Sequence, residues 1–524
     1  MTFNNTDPAP PNPELKLIQG LMSPTAYPHS VAEVRLIETH ISWVLLTGEY
    51  AYKIKKPVDF GFLNFSTLEQ RLHYCHEEVR LNRRLAADWY LEVVPITGSY
   101  EQPGIDGNGV AIEYAVKMRQ FPTVMTLKDR VKAGNFGPSE IDRISDLLAD
   151  FHAHVARASG DSPYGDSADI RHWFEENSVH LRPRLQEADQ IRQLQTIEAW
   201  GQAEWQSKAA LMAQRKRSGF VRECHGDMHL GNMTQVDGEI VFFDCIEFNP
   251  MLRWIDVISE AAFLIIDLLH FKLDILAFRF LNRYLQHTGD YQGVALLRYY
   301  LVYRALVLAK VSLLRAEQQH DSAQREQNLA EYGVYADLAA RFTQTPSPIL
   351  LITHGFSGSG KSYYASRLAE HLGAVQIRSD IERKRLHGFD AAQSTGSTTN
   401  GGIYTPDATH LTYDRLASEA QIVLESGFTA IVDATFLKSA QREQFRQLAT
   451  RCGVEFKILA FQAAGHVLNE RILQRHQDAS EATIEVLQRQ QQSAEPLSQE
   501  ERAYTITVDS ASEQATELLL SSFD

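Results

Sequence analysis

Apolar and polar positions change their period several times along this chain. Between residues 33 and 58 the runs Glu33-Val-Arg-Leu-Ile, Ser42-Trp-Val-Leu-Leu and Tyr50-Ala-Tyr-Lys-Ile-Lys are rich in β-branched and aromatic residues. With Gly48 to punctuate a turn, they predict strands. From Leu68 to Leu85 the spacing lengthens, and Leu72, Val79, Leu81 and Leu85 make an apolar stripe that predicts an amphipathic helix. Strands around Val93 and Val110–Lys117 follow, then mainly helical sequence to about Phe342. Beyond Thr343-Gln-Thr-Pro-Ser-Pro348 the pattern changes again. Ile349-Leu-Leu-Ile-Thr, Ala374–Ile377, Thr429–Val432, Phe456–Phe461 and Tyr504–Val508 are short apolar runs separated by helical sequence. Such βα alternation predicts a parallel sheet with ligands at the carboxyl ends of its strands.

The first half carries His225-Gly-Asp227-Met-His-Leu-Gly-Asn232. In H-G-D-x-x-x-x-N the Asp and Asn stand at the interval of kinase catalytic loops, where the Asp accepts the acceptor hydroxyl's proton and the Asn holds Mg²⁺. Twelve residues on, Ile240-Val-Phe-Phe-Asp244 is an apolar strand ending in a carboxylate, placed for a second metal ligand; Glu247 reads as structural. A lysine bridging the ATP phosphates belongs on the third strand. Lys53 and Lys55 share one face of it and Lys56 takes the other, so Lys53 is preferred and Lys55 stands second. Its partner on the following helix is Glu78, with Glu77 next; a solvated lysine edge is the plainer alternative. Asp59-Phe60-Gly61 precedes the catalytic loop, so it is a decoy without a catalytic role. The turn at Glu38-Thr-His-Ile41 lacks the glycines of a protein-kinase phosphate loop, which argues against a protein kinase.

On these residues the stretch from about Ala32 to Arg341 resembles the aminoglycoside-phosphotransferase family of kinase-like enzymes. The resemblance implies an α+β bilobal fold, ATP with Mg²⁺, and a small hydroxyl-bearing acceptor such as a sugar or amino alcohol. His225 is expected to brace the loop, while His152, His154 and His229 show no zinc-motif spacing. Trp173, Trp200 and Trp205 precede the loop and are read as packing residues, with an acceptor-pocket wall as the alternative.

In the second half the first apolar run leads into Gly355-Phe356-Ser357-Gly358-Ser359-Gly360-Lys361-Ser362 and then a helix to Leu372, a P-loop in its required context. Its backbone N–H groups and helix terminus suit phosphate, Lys361 suits the β- and γ-phosphates, and Ser362 suits Mg²⁺. Asp433 in Ile431-Val-Asp-Ala-Thr435 suits a Walker-B-like role at the metal. Asp380 and Arg383, one turn apart, are candidates for holding an acceptor hydroxyl with Asp380 as base, or else for a helix cap with an exposed arginine. Arg471 and Arg475 form a candidate lid that neutralises transferring charge, or a solvated face. Asp390 to Gly402 is Ser-, Thr- and Gly-rich and reads as a mobile loop. Residues 349–524 resemble the small P-loop kinases: gluconate kinase, 5′-hydroxyl polynucleotide kinases and zeta-toxin-like enzymes. That resemblance implies an α/β domain and a sugar, nucleoside or short-oligonucleotide acceptor.

Composition narrows the partners. Residues 1–345 hold 35 Lys and Arg against 44 Asp and Glu, and the rest hold 16 against 22, so the halves carry −9 and −6. Neither has the basic footprint of a protein that grips long nucleic acid. The four cysteines have no metal-motif or CxxC spacing, which reads as free thiols in a reducing compartment. Val257–Leu269 and Ala295–Leu314 are interrupted by charges, so they read as core helices, with no membrane partner expected. Thr2 to Pro13 lacks the basic and apolar regions of a signal peptide. The expected organisation is a disordered leader over 1–31, a kinase-like domain over 32–342, a linker over 343–348 and a P-loop kinase domain over 349–524, in a cytoplasmic protein.

Overall fold

A computed structural model describes residues 13–61, 63–122, 125–319, 321–391, 393, 395, 402–474 and 480–523. The chain forms two compact units that interleave in sequence. One comprises residues to Phe136, Val155–Gly165 and Gly219–Ile255; the other comprises Gly137–His154, Asp166–Ser218 and Asp256 onward.

The first unit is built on an antiparallel sheet of β1 (Arg35–Glu38), β2 (Ser42–Leu46), β3 (Tyr50–Lys55), β4 (Tyr90–Gly98), β5 (Pro103–Ile105) and β6 (Glu113–Arg119), in the order β1-β2-β3-β6-β4-β5. The turn between β1 and β2 is closed without glycine, because the Thr39 hydroxyl accepts from the Ser42 N–H at 2.9 Å. The alternation along β3 decides its chemistry. Tyr52 and Ile54 enter an apolar cluster with Leu45, Val94 and Ile96, while Lys53 and Lys55 face the other way. That cluster corrects the expected leader. From Pro13 to Leu21 the chain is a helix, and Leu17, Ile18 and Leu21 are buried in the cluster, so these apolar residues at helical spacing do not stay in water. Residues 1–12 lie outside the described residues.

On the lysine face lies the helix Leu68–Ala86, opened by a capping box in which Thr67 and Gln70 satisfy each other's backbone N–H. Cys75 and Val79 pack there with Val116 and Val241. A short hairpin, Met233–Val236 with Glu239–Phe242, follows the H-G-D loop.

The second unit contains a five-stranded parallel sheet. Its strands Val375–Arg378, Ala430–Asp433, Ile349–His354, Glu455–Gln462 and Thr505–Asp509 lie side by side in that order. Helices preceding residue 349 belong to this unit too. The helix Val257–His270 is buried over all but its last residue, and Val294–Gln318 packs beside it. Both are core helices, and no helix among the described residues is long and apolar enough to cross a membrane. Cys75, Cys224 and Cys245 are buried and Cys452 is half-buried, with no disulfide among the described residues. In chain order an α+β kinase-like region, most of whose helices fall in the second unit, precedes the α/β P-loop region with its parallel sheet.

Candidate active sites

In the first unit a single helix face organises the charges. Lys53 Nζ lies 2.7 Å from Glu78 Oε1 and 2.5 Å from Asp244 Oδ1. Lys55, fully buried, bridges the other Glu78 oxygen at 2.7 Å and the Glu247 carboxylate. One turn beyond Glu78, Asn82 accepts from the Cys245 N–H at 2.9 Å, which fixes the backbone beside Asp244. Asp244 itself sits at φ 65°, a left-handed conformation that Asp tolerates better than most residues. Its N–H donates to the Tyr90 hydroxyl at 3.2 Å. Burial alone would push the Glu78 carboxyl up, but Lys53 and Lys55 outweigh it and hold it at about 2. Glu77 is drawn instead to Arg80 and Arg253. Lys56 pairs with Glu38 on the other face.

The H-G-D loop is tied to the same place. His225 is buried; its Nδ1 accepts from the Asp227 N–H at 3.3 Å, so Nε2 is the donor to the Phe243 carbonyl at 2.9 Å. The Asn232 carbonyl accepts from the Phe243 N–H at 3.0 Å, and the His225 carbonyl accepts from Ile246 N–H at 3.0 Å. These bonds straddle Asp244 and place it beside the loop. The Asn232 side chain donates to the Asp227 carboxylate at 2.9 Å, and His229 Nε2 approaches it at 3.3 Å. Burial raises the Asp227 carboxyl, but the two histidines and Asn232 outweigh it and hold it at about 2. It is an ionised acceptor, with its side chain still 35% exposed. Asp59-Phe60-Gly61 forms a separate turn in which the Asp59 carboxylate accepts from the Gly61 N–H at 2.9 Å.

In the second unit the P-loop joins strand Ile349–His354 to helix Lys361–Leu372. Gly355, Gly358 and Gly360 have φ of 146°, 83° and 84°. A Cβ at Gly355 would lie 2.6 Å from the Phe461 carbonyl, and one at Gly358 would lie 2.8 Å from the Leu468 carbonyl. Phe356 packs against Leu468, Ile472 and Leu487, while Ser357 exchanges hydrogen bonds with the Gln490 amide at 2.9 and 3.0 Å. Lys361 Nζ donates to the Phe356 carbonyl at 2.8 Å. Burial raises the Asp433 carboxyl, opposed by Arg378, by a hydrogen bond from Ser362, and by Lys361.

A cavity of about 710 Å³ opens over this loop, and Lys361, Ser362, Asp433, Asp380, Arg383 and Arg471 all line it. The cap of helix Ser379–Leu386 is Arg378, so Asp380 is not the helix cap. Arg383 is buried, donates to the Ile403 carbonyl and the Thr409 hydroxyl at 3.1 and 3.2 Å, and stacks over Tyr404. Arg471 donates to Ser510 and leans on the Gly358 carbonyl. Arg475, with most of Asp390–Gly402, lies outside the described residues. Trp205 donates its indole N–H to the Ser167 carbonyl at 2.7 Å, a packing contact.

Both sites fit magnesium and a polyphosphate by their donors. Asn232, Asp244, Ser362 and Asp433 offer hard oxygen ligands. In the P-loop, glycines leave room that any Cβ would fill, and the buried Ser359 hydroxyl has no hydrogen-bond partner among the described residues. Sequence reasoning did not single out Gln376, whose side chain touches Asp433. The available signal was one polar residue inside the apolar run Ala374-Val-Gln-Ile.

A domain with a kinase-type H-G-D-x-x-x-x-N loop joined to a P-loop domain is the class that fold and motifs define. The AAA domain family model matches residues 350–497. The chain is 30% identical over 449 residues to the uncharacterized proteins Rv2004c of Mycobacterium tuberculosis (strain ATCC 25618 / H37Rv) and Mb2027c of Mycobacterium bovis, covering 86% of this chain and 88% of each relative. It belongs to the same family as these proteins. Similar solved structures include a putative aminoglycoside phosphotransferase from Ralstonia eutropha JMP134, 11% identical over 63% of this chain and 98% of that one, with a TM-score of 0.35. Another is a gluconokinase from Sinorhizobium meliloti 1021, 22% identical over 34% of this chain and 91% of that one, with a TM-score of 0.25.

Proposed function

We propose that the protein is an ATP-dependent phosphotransferase with two separate ATP sites, each passing a phosphoryl group to a hydroxyl of a small molecule. The observation that carries this reading is that each unit assembles its own lysine, carboxylate and amide or hydroxyl donor. Magnesium-bound ATP would supply the transferable group and shield its charge. In the first unit Lys53, held by Glu78, grips phosphate oxygens; Asn232 and Asp244 ligate the metal; Asp227 orients the acceptor hydroxyl and takes up its proton. In the second, the loop from Gly355 to Ser362 cradles phosphate, Ser362 and Asp433 hold the metal, and Arg471 stands over the loop. Asp380 takes the acceptor's proton and Arg383 shapes the acceptor end of the cavity. A sugar or amino alcohol suits the first site; a sugar, nucleoside or short oligonucleotide suits the second.

The test is ATP turnover against a panel of hydroxyl compounds for the parent, Asp227→Asn and Lys361→Ala. Two activities are expected, each abolished by one substitution only. Loss of all transfer in Asp227→Asn with no change in Lys361→Ala would overturn the two-activity reading and leave the P-loop half as a regulatory nucleotide binder. The converse would leave the first half as a scaffold.

A further inference from the structure

Among the described residues, strand Val375–Arg378 lies at the edge of the parallel sheet, paired on one side only with Ala430–Asp433. An edge strand presents backbone groups that need partners. Here they come from the helix Asp274–Thr288 and the turn after it. Asn282 donates from Nδ2 to the Ala374 carbonyl at 2.8 Å, and its Oδ1 accepts from the Gln376 N–H at 2.6 Å. The Tyr291 hydroxyl donates to the Gln376 carbonyl at 3.3 Å. Gln376 is thereby held at both backbone groups.

Its side chain is 1% exposed. The Oε1 atom faces the Ser366 hydroxyl at 2.8 Å and the Gln286 amide at 3.4 Å, and a reversed amide would set its oxygen against the Asp433 carboxylate. That leaves Nε2 as a fixed donor, and it bonds Asp433 Oδ2 at 3.1 Å. In the register of the two strands Gln376 sits opposite Ile431, and Asp433 follows two residues on along the same face.

We infer that Gln376 is a positioning residue for the Asp433 carboxylate, and that Asn282 on the helix Asp274–Thr288 is what holds Gln376 in place. The inference rests on the proposed P-loop site. One Asp433 oxygen is pinned by the amide, and the carboxylate's rotation is set before any metal arrives. A glutamate at 376 keeps the shape but replaces the donor by a second acceptor. A leucine removes that hydrogen bond and leaves the buried Asp433 Oδ2 with Arg378 Nε at 3.7 Å.

The experiment uses the full chain in an Asp227→Asn background, so that only the P-loop site turns over. Mg²⁺ is titrated against ATP turnover, and ATP affinity is measured separately in EDTA, for the background and for added Gln376→Leu, Gln376→Glu and Asn282→Ala. The half-saturating Mg²⁺ concentration is expected to rise about tenfold in each, the equivalent of one lost hydrogen bond to a charged group. Metal-free ATP affinity is expected to stay at the background value. An unchanged Mg²⁺ midpoint overturns the inference, as does an equal loss of metal-free affinity in all three. If Gln376→Leu does not fold, the isosteric Gln376→Glu decides. Should the background bind no ATP, or bind it undiminished after Lys361→Ala, the P-loop reading itself fails rather than this one.

Discussion

Lys53 and Glu78 meet at 2.7 Å across the face of the first sheet, and the same ammonium reaches Asp244. Burial would lower the Lys53 pKa, but Asp244 and Glu78 outweigh it and hold the ammonium well above the usual lysine range. It is a permanent cation standing between a helix and the H-G-D loop. Lys53→Met is therefore expected to abolish turnover at the first site, by about a hundredfold or more. The P-loop site should be untouched, as its own acceptor assay would show.

Lys55 differs, although it sits two residues away. It is completely buried between Glu78 and Glu247, so its removal leaves buried carboxylates uncompensated. Lys55→Met should destabilise the first unit by about 3–5 kcal/mol. Thermal melting would register this as a large fall in Tm. A Tm equal to that of the parent would contradict it.

Arg215 makes an analogous prediction in the second unit. Its guanidinium donates in a fork to Asp256 at 2.7 and 2.9 Å and to Asp290 at 2.7 Å twice, with no exposure. Arg215→Met should lose about 3–5 kcal/mol. Arg215→Lys should not restore it, because one ammonium cannot reproduce a planar fork. Chemical denaturation of both variants checks the point.

Gly355→Ala would force a Cβ to 2.6 Å from a carbonyl and 2.9 Å from the Ser359 hydroxyl, at a positive φ. It should cost about 1–3 kcal/mol and remove ATP binding at the P-loop. Gly465→Ala, whose Cβ would meet nothing within 4 Å among the described residues, is the matched control and should bind ATP normally.

Glu419 makes stability depend on pH. Burial, and the neighbouring Glu382, push its carboxyl up to about 9, against Arg415. The folded chain keeps a proton that the unfolded chain loses above its ordinary carboxyl range. Stability should therefore fall as pH rises from the ordinary carboxyl range to about 9, and then level off. Tyr291, Arg385 and Arg415 also face this pair. Glu419→Gln should flatten the slope in melts recorded across that range.

The sequence by itself determined what is local. Strand alternation at Lys53 and Lys55, the H-G-D loop with Asn232, and the glycines before Lys361 are patterns within a dozen residues, governed by side-chain period and turn chemistry. The β-then-helix order and the βα alternation were legible for the same reason. Only the tertiary structure decided which lysine meets Asp244, since the two lie 191 residues apart. It also decided that the helix from Pro13 enters a core, and that Asn282 reaches Gln376 across 94 residues. These depend on which segments burial brings together and on which polar groups are then left needing partners, and no local period records that.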